Sequence, residues 1–154
     1  MQINNSNGVM TLIYVIRHGQ TDLNKEGRLQ GRQGLLLNEE GKAQAAYLKK
    51  IFLETKFDLV FSSPQERAVE TAEIVTGLNV RVDPRLDVYD LGEADGLIRR
   101  EVQFKGSIPD PQLYRGVEDV RTFIRRIFDF MEELKGSIDC RRKNILIAGH
   151  RCTT

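Results

Sequence analysis

Most features that would announce a specialised chain are missing from these 154 residues. Charge of one sign is absent: 23 Lys and Arg stand against 22 Asp and Glu, a formal net charge of +1. No bulk field therefore draws nucleic acid or an anionic membrane, and any anion must be held by a local cluster. Long hydrophobic runs are absent too. The most apolar window, residues 9–16, falls far short of the ~20 residues a membrane span needs and runs straight into Arg17. Residues 1–8 are polar, without the basic start, apolar centre and small-residue cleavage site of a secretory signal. A cytoplasmic protein without a membrane partner is expected. Cys140 and Cys152 show no metal-ligand spacing, and in a reducing compartment free thiols are expected rather than a disulfide. Histidine is equally scarce, with only His18 and His150.

A chain of this length can bury ~70% of its unfolded surface around one core. Residues 1–9 are expected to be a flexible leader and 10–154 a single domain. The run Leu12–Ile16 ends abruptly in a polar, glycine-bearing loop, the pattern of a fully buried strand. Asn38 is placed to cap a helix reaching to about Glu54, with Ala43, Tyr47 and Ile51 four apart as its apolar face. "FDLVFSSP" repeats the first pattern, and Pro64 suits the first turn of a helix ending near Gly77. "NVRVDP" reads as a weaker strand. Residues 97–115 mix Gly, Pro and charge without periodicity, as a loop insertion or small lid would. Val117, Val120, Ile124, Ile127, Met131 and Leu134 lie three and four apart, predicting a long amphipathic helix stopped by Gly136. "NILIAGH" is then a third buried strand.

Strands alternating with helices predict an open α/β sheet, mostly parallel, with helices on both faces. Ligands of such sheets bind at the carboxyl ends of the strands. Three stretches fall there: "RHG" at 17–19, "SSPQERA" at 62–68 and "GH" at 149–150. Both histidines thus reach one edge of the sheet. Either alone reads as an ordinary polar residue, but with Arg17 and Arg67 they make a positive pocket carrying two nitrogen nucleophiles or bases. The guanidinium fork matches phosphate oxygens. Arg67 reads equally well as a solvated helix residue paired with Glu66 or Glu70. Two histidines among scattered carboxylates offer no metal-ligand spacing.

"RHGQTDLN", "GRLQG", "LNEEGKAQA", "SSPQERAVETA" and "GH" occur in an order and spacing that resembles the histidine phosphatase superfamily, the phosphoglycerate-mutase-like proteins. The resemblance spans Tyr14 to His150. It implies a phosphoglycerate-mutase-like fold and a catalytic domain at 10–154. It also implies that His18 accepts the phosphoryl group, with Arg17, Arg67 and His150 around the phosphate, and that neither metal nor cofactor is required. Asn24 matches a phosphate-contacting position, and Gln30 and Gly31 match positions lying against substrate. The implied substrate is a small phosphorylated metabolite or a phosphoprotein.

The chain departs from the family pattern in three places. Val88 stands where members acting on alkyl phosphates carry a glutamate proton donor. Asp90, two residues on, shares its face in an extended segment, so either Asp90 is the acid or the preferred leaving groups need little protonation. Only four residues follow His150, where the family continues with a helix and more sheet, so the C-terminal part is expected to be incomplete and apolar surface exposed. Leu36 replaces a turn proline. Metal-independent phosphomonoester hydrolysis through phospho-His18 is therefore the expected activity. Phosphoglycerate-mutase-type transfer and a non-catalytic module binding phosphorylated ligands are the alternatives. Arg99, Arg100, Lys105, Tyr114 and Arg115 are candidates for contacts beyond the phosphate.

Overall fold

A computed structural model describes residues 2–4, 10–137 and 143–153. The strands are β1 (Gln2–Asn4), β2 (Met10–Arg17), β3 (Leu59–Ser62), β4 (Arg81–Val82), β5 (Phe104–Lys105), β6 (Ile108–Pro109) and β7 (Asn144–Gly149). The helices are α1 (Asp22–Lys25), α2 (Glu39–Ile51), α3 (Glu66–Thr76) and α4 (Val120–Ser137). The main sheet runs β1-β2-β7-β3-β4, with β2, β7, β3 and β4 parallel and β1 antiparallel at the edge. The mixed α/β class and mostly parallel sheet are those expected. Within the segment read as a leader, Gln2–Asn4 pairs with Met10–Leu12.

Strand β7 sits between β2 and β3, so the last of the described strands joins the first two of the expected parallel set. Its side chains are apolar on both sides because both sides are covered. Leu146 and Ala148 join Ile16, Val60, Ala45, Ala72 and Val75 beneath α2 and α3. Ile145 and Ile147 join Ile13, Leu86, Phe130 and Leu134 beneath α4. Helices thus flank both faces.

Two helices turn differently from their predicted faces. Along α2 the buried positions are Gly41 and Ala45, whereas Tyr47 and Ile51 are 65% and 58% exposed. The four-residue spacing is equally good on both sides of this helix, and packing chooses the side with small residues. Gly41 is the reason: a Cβ there would run into the Gln20 carbonyl, and a Cβ on Gly19 into the Gly41 carbonyl. The first turn of α2 therefore lies directly on the backbone that follows His18. Helix α4 begins at Val120, with the Asp119 carboxylate accepting from the Arg121 and Thr122 amides, and Gly136 lies inside it. Its buried stripe is Phe123, Phe130 and Leu134, with Ile127 and Met131 packed alongside, while Val120, Ile124 and Phe128 face outward. Val15, on the sheet face beneath α4, is also exposed. Apolar surface is therefore uncovered on that side. Residues 97–115 form a short β5-β6 hairpin and 3-10 turns.

Candidate active site

Register brings the site together. Arg17 lies opposite Gly149 and Ser62 opposite Ala148, so three neighbouring strands stop at one level. The His18 amide donates to the Gly149 carbonyl and the Ser63 amide to the Ala148 carbonyl, each at 3.0 Å, carrying the ladder one residue past the strands. His18, Ser63 and His150 emerge side by side, with the two imidazole rings 5.2 Å apart.

Hydrogen bonding sets the tautomer of each ring. His18 Nδ1 lies 2.7 Å from the Gly19 carbonyl, which can only accept, so Nδ1 carries the proton and Nε2 keeps its lone pair. His150 Nδ1 lies 3.5 Å from the Arg67 guanidinium, which can only donate. Its proton is therefore on Nε2, donated to Ser63 Oγ at 2.7 Å. Burial, reinforced by the Arg67 and Arg17 charges, lowers His18 from 6.5 to about 4 and outweighs the bond to Gly19, which raises it. Burial first and Arg67 next lower His150 to about 2. Both rings are neutral at pH 7. An unprotonated Nε2 is the form in which an imidazole attacks phosphorus.

These depressed values make stability pH-dependent. Below about pH 6.5 the unfolded chain takes up a proton at each histidine that the folded chain refuses, so unfolding is favoured as pH falls. Between pH 6.5 and 5 each histidine should remove roughly 1 kcal/mol of stability per pH unit, against a ceiling of about 1.4 kcal/mol for a full proton, and the His18 share should level off below pH 4. Urea unfolding at intervals from pH 7 to 5 measures the slope. His18→Asn should halve it.

Arg67, on α3, is 0% exposed. That excludes the solvated reading, and Glu70 instead accepts from the Leu37 amide. The guanidinium bonds the carbonyls of Gly31 at 2.8 Å and Gln33 at 3.5 Å, with Gln65 Oε1 also at 3.5 Å. No carboxylate pairs with it within 4 Å among the described residues, and its Nε has no partner. Burial lowers it to about 10 against the raising effect of Asp95 and Asp87, leaving it charged. Arg17 is exposed at the end of β2. A buried cation held only by neutral acceptors keeps a charge that an anion can balance.

The remaining expected residues are placed more indirectly. Gly31 gives its amide to Asp95 at 2.6 Å and its carbonyl to Arg67, so it positions the guanidinium. Gln30 Oε1 accepts from Thr21 Oγ at 2.8 Å while its buried Nε2 is unpartnered. Asn24 Oδ1 accepts from the Thr21 amide, closing the cap of α1. Asp90 is bound away: one oxygen lies 3.0 Å from Arg32 and the other accepts from the Gly92 amide. Among the described residues no three His, Cys, Asp or Glu side chains gather as a metal site. Cys152 is a free thiol; Cys140 lies outside the described residues.

Several supports were not foreseen. Thr71 accepts from the Gly19 amide and donates to the Arg67 carbonyl, tying the His18 loop to α3. It lies four residues beyond Arg67 and so on the same helical face, a periodicity that could have found it. Asp95 holds the Gly31 and Gln33 amides, and Asp87 takes Gln65 and Arg32; nothing local in sequence marks either. Arg126 of α4 donates to the carbonyls of Arg85, Asp87 and Val88 and pairs with Glu118, fixing the segment along one wall.

A neutral, oriented imidazole under the positive charge of Arg67 and Arg17, at the carboxyl edge of an open, mostly parallel sheet, is an arrangement of an α/β protein suited to an oxyanion. Residues 13–154 match the model of the histidine phosphatase superfamily (branch 1), and the chain belongs to that family. A chain of Hydrogenobacter thermophilus provisionally named phosphoserine phosphatase 2 is 32% identical, covering 92% of this chain and 73% of its own. The glucosyl-3-phosphoglycerate phosphatase of Mycobacterium tuberculosis is 38% identical over 58% of this chain, which spans 42% of that relative. A solved mycobacterial glucosyl-3-phosphoglycerate phosphatase in complex with VO3 superposes with a TM-score of 0.73 at 30% identity, covering 88% of this chain and 74% of that one. Phosphoglycerate mutase from Thermus thermophilus gives 0.72 at 30% identity, over 90% and 77% respectively. The fold is thus that of the phosphoglycerate-mutase-like proteins.

Proposed function

We propose that the chain hydrolyses phosphate monoesters through a phosphoryl group carried on His18 Nε2, without a resident metal or cofactor. The observation that carries this reading is Arg67: a fully buried guanidinium, unpaired with any carboxylate among the described residues, whose Nε is unbonded and whose Nη2 lies beside His150. A phosphate dianion supplies the charge it lacks. The same dianion reverses the Coulombic effect of the two arginines on the histidines, favouring a protonated His150 in the complex. Arg17, Arg67 and His150 then hold the three non-bridging oxygens while His18 attacks in line. Water later attacks the phosphohistidine. Asn24 and the free amide of Gln30 are the further groups proposed to touch phosphate or substrate.

The relatives' names support phosphatase chemistry, and the VO3 bound in one related structure is consistent with a phosphate-shaped site in that protein. The proposed substrate class is a small phosphorylated molecule or a phosphoprotein. No helix among the described residues is long and apolar enough to cross a membrane, and a cytoplasmic location is proposed on composition. Quenching turnover of a ³²P-labelled ester within milliseconds tests the mechanism. An acid-labile label on His18 is expected; turnover with no label there would overturn the reading.

A further inference from the structure

The first turn after β7 closes one end of a cavity of about 640 Å³ that opens beside His150. Its walls are Leu29, Val88, Leu91, Phe104, Phe123 and Ile124, supplied by four separate stretches of chain. Val88 and Leu29 are buried, and Arg99 stacks over the Phe104 ring with its guanidinium carbon 5.1 Å from the centroid. Among the described residues the lining contains no Asp or Glu. Of its proton-bearing groups, the Tyr89 hydroxyl donates to the Glu118 carbonyl and the His150 proton to Ser63, while Ser107, Cys152 and the guanidiniums of Arg99 and Arg151, all weaker acids than a carboxyl, complete the polar lining. Asp90, the nearest carboxylate in sequence to Val88, is bound to Arg32 and the Gly92 amide and does not line the cavity.

We propose that this cavity seats the leaving group and that the substrates are esters of a flat, apolar, acidic alcohol, namely aryl phosphates. The inference rests on the assignment of His18 as nucleophile and adds the substrate class. Two features of one wall point the same way. Apolar and aromatic side chains reward burial of a ring, and a cationic guanidinium stacked at the rim suits the face of a second aromatic group. With no carboxyl on the described wall and the His150 proton committed to a phosphate oxygen, no group there is placed to protonate a departing alkoxide, which selects oxygens that leave unprotonated. In the step itself the His18 Nε2 lone pair forms the P–N bond while the P–O(aryl) bond breaks. Its electron pair departs on the phenolate, which takes a proton from water outside the cavity. Water then forms a P–O bond, the P–N pair returns to the imidazole, and orthophosphate leaves.

The test compares 1-naphthyl phosphate, glycerol 2-phosphate and acetyl phosphate, the last having a small leaving group that needs no protonation. The expected kcat/KM for the naphthyl ester exceeds that for glycerol 2-phosphate by ~10²-fold or more, the contribution of general-acid catalysis that the alkyl ester requires. Ile124 is 58% exposed at the cavity wall, so Ile124→Asp can be made without disturbing the core. It should lower the naphthyl-to-acetyl phosphate ratio ~10-fold by placing a charge where the ring sits. Equal turnover of naphthyl and glycerol esters, or a ratio unmoved by Ile124→Asp, overturns the proposal while leaving His18 chemistry intact. Failure to hydrolyse any of the three, acetyl phosphate included, overturns the His18 reading and this inference with it.

Discussion

His18→Ala should lower phosphate-ester turnover by roughly 10⁴-fold or more while preserving affinity for phosphate. The two halves of that expectation separate because different residues carry them. Attack requires a lone pair at one place, and only His18 offers Nε2 unprotonated with its other nitrogen fixed on the Gly19 carbonyl. Affinity is assigned in the proposal to Arg17, Arg67 and His150, which the substitution should leave in position. The variant removes a neutral ring that carries no charge for the phosphate, so its phosphate complex should be at least as stable as that of the unaltered chain. Steady-state turnover and isothermal titration with inorganic phosphate or vanadate check both. A variant that kept turnover would move the nucleophile to His150, whose Nδ1 is held against Arg67 and whose proton is given to Ser63. A variant that lost binding together with turnover would make His18 part of the anion site rather than its attacking group.

The positions of His18 and His150 were legible in sequence because strand ends are. A buried apolar run that stops at a glycine or a small polar residue marks where a parallel strand leaves the sheet, and three such stops share one edge. The helices were legible in extent but less so in orientation. In α2, Ala43, Tyr47 and Ile51 satisfy helical periodicity as well as Gly41 and Ala45, and only the close backbone approach of Gly19 to Gly41 decides between them. The same holds in α4, where Phe123 and Phe130 face inward and Ile124 and Phe128 outward. Arg67 was undecided because acidic residues flank it on the helix, Glu70 at pairing spacing; its burial follows from acceptors at Gly31 and Gln33, 36 and 34 positions upstream. Asp90 shows the opposite failure. Its face on an extended segment suggested an acid, but Arg32 and the Gly92 amide, a long-range and a local partner, occupy the carboxylate.

The second large effect concerns that arginine. Arg67→Met should lower kcat/KM by ~10²- to 10³-fold, the loss typical of removing one preorganised electrostatic contact to a transition state, with little change in stability. Opposing contributions set the stability. Burying a charge without a counter-ion is unfavourable, and a thioether of similar length removes that burden, a replacement that is often neutral or stabilising. Against it, the Gly31 and Gln33 carbonyls lose a charged donor, each costing about 1–3 kcal/mol if left dry. These offset, so the unfolding free energy should move by no more than about 2 kcal/mol. Thermal unfolding with and without phosphate isolates the functional part. Phosphate should raise the midpoint of the unaltered chain by binding only the folded state, and in Arg67→Met that rise should nearly vanish. Turnover retained with a collapse in stability would instead make the guanidinium a clasp between α3 and the Gly31–Gln33 loop. Because the same side chain holds that loop and His150, the phosphate-dependent shift, which a mere clasp would not alter, is the decisive quantity.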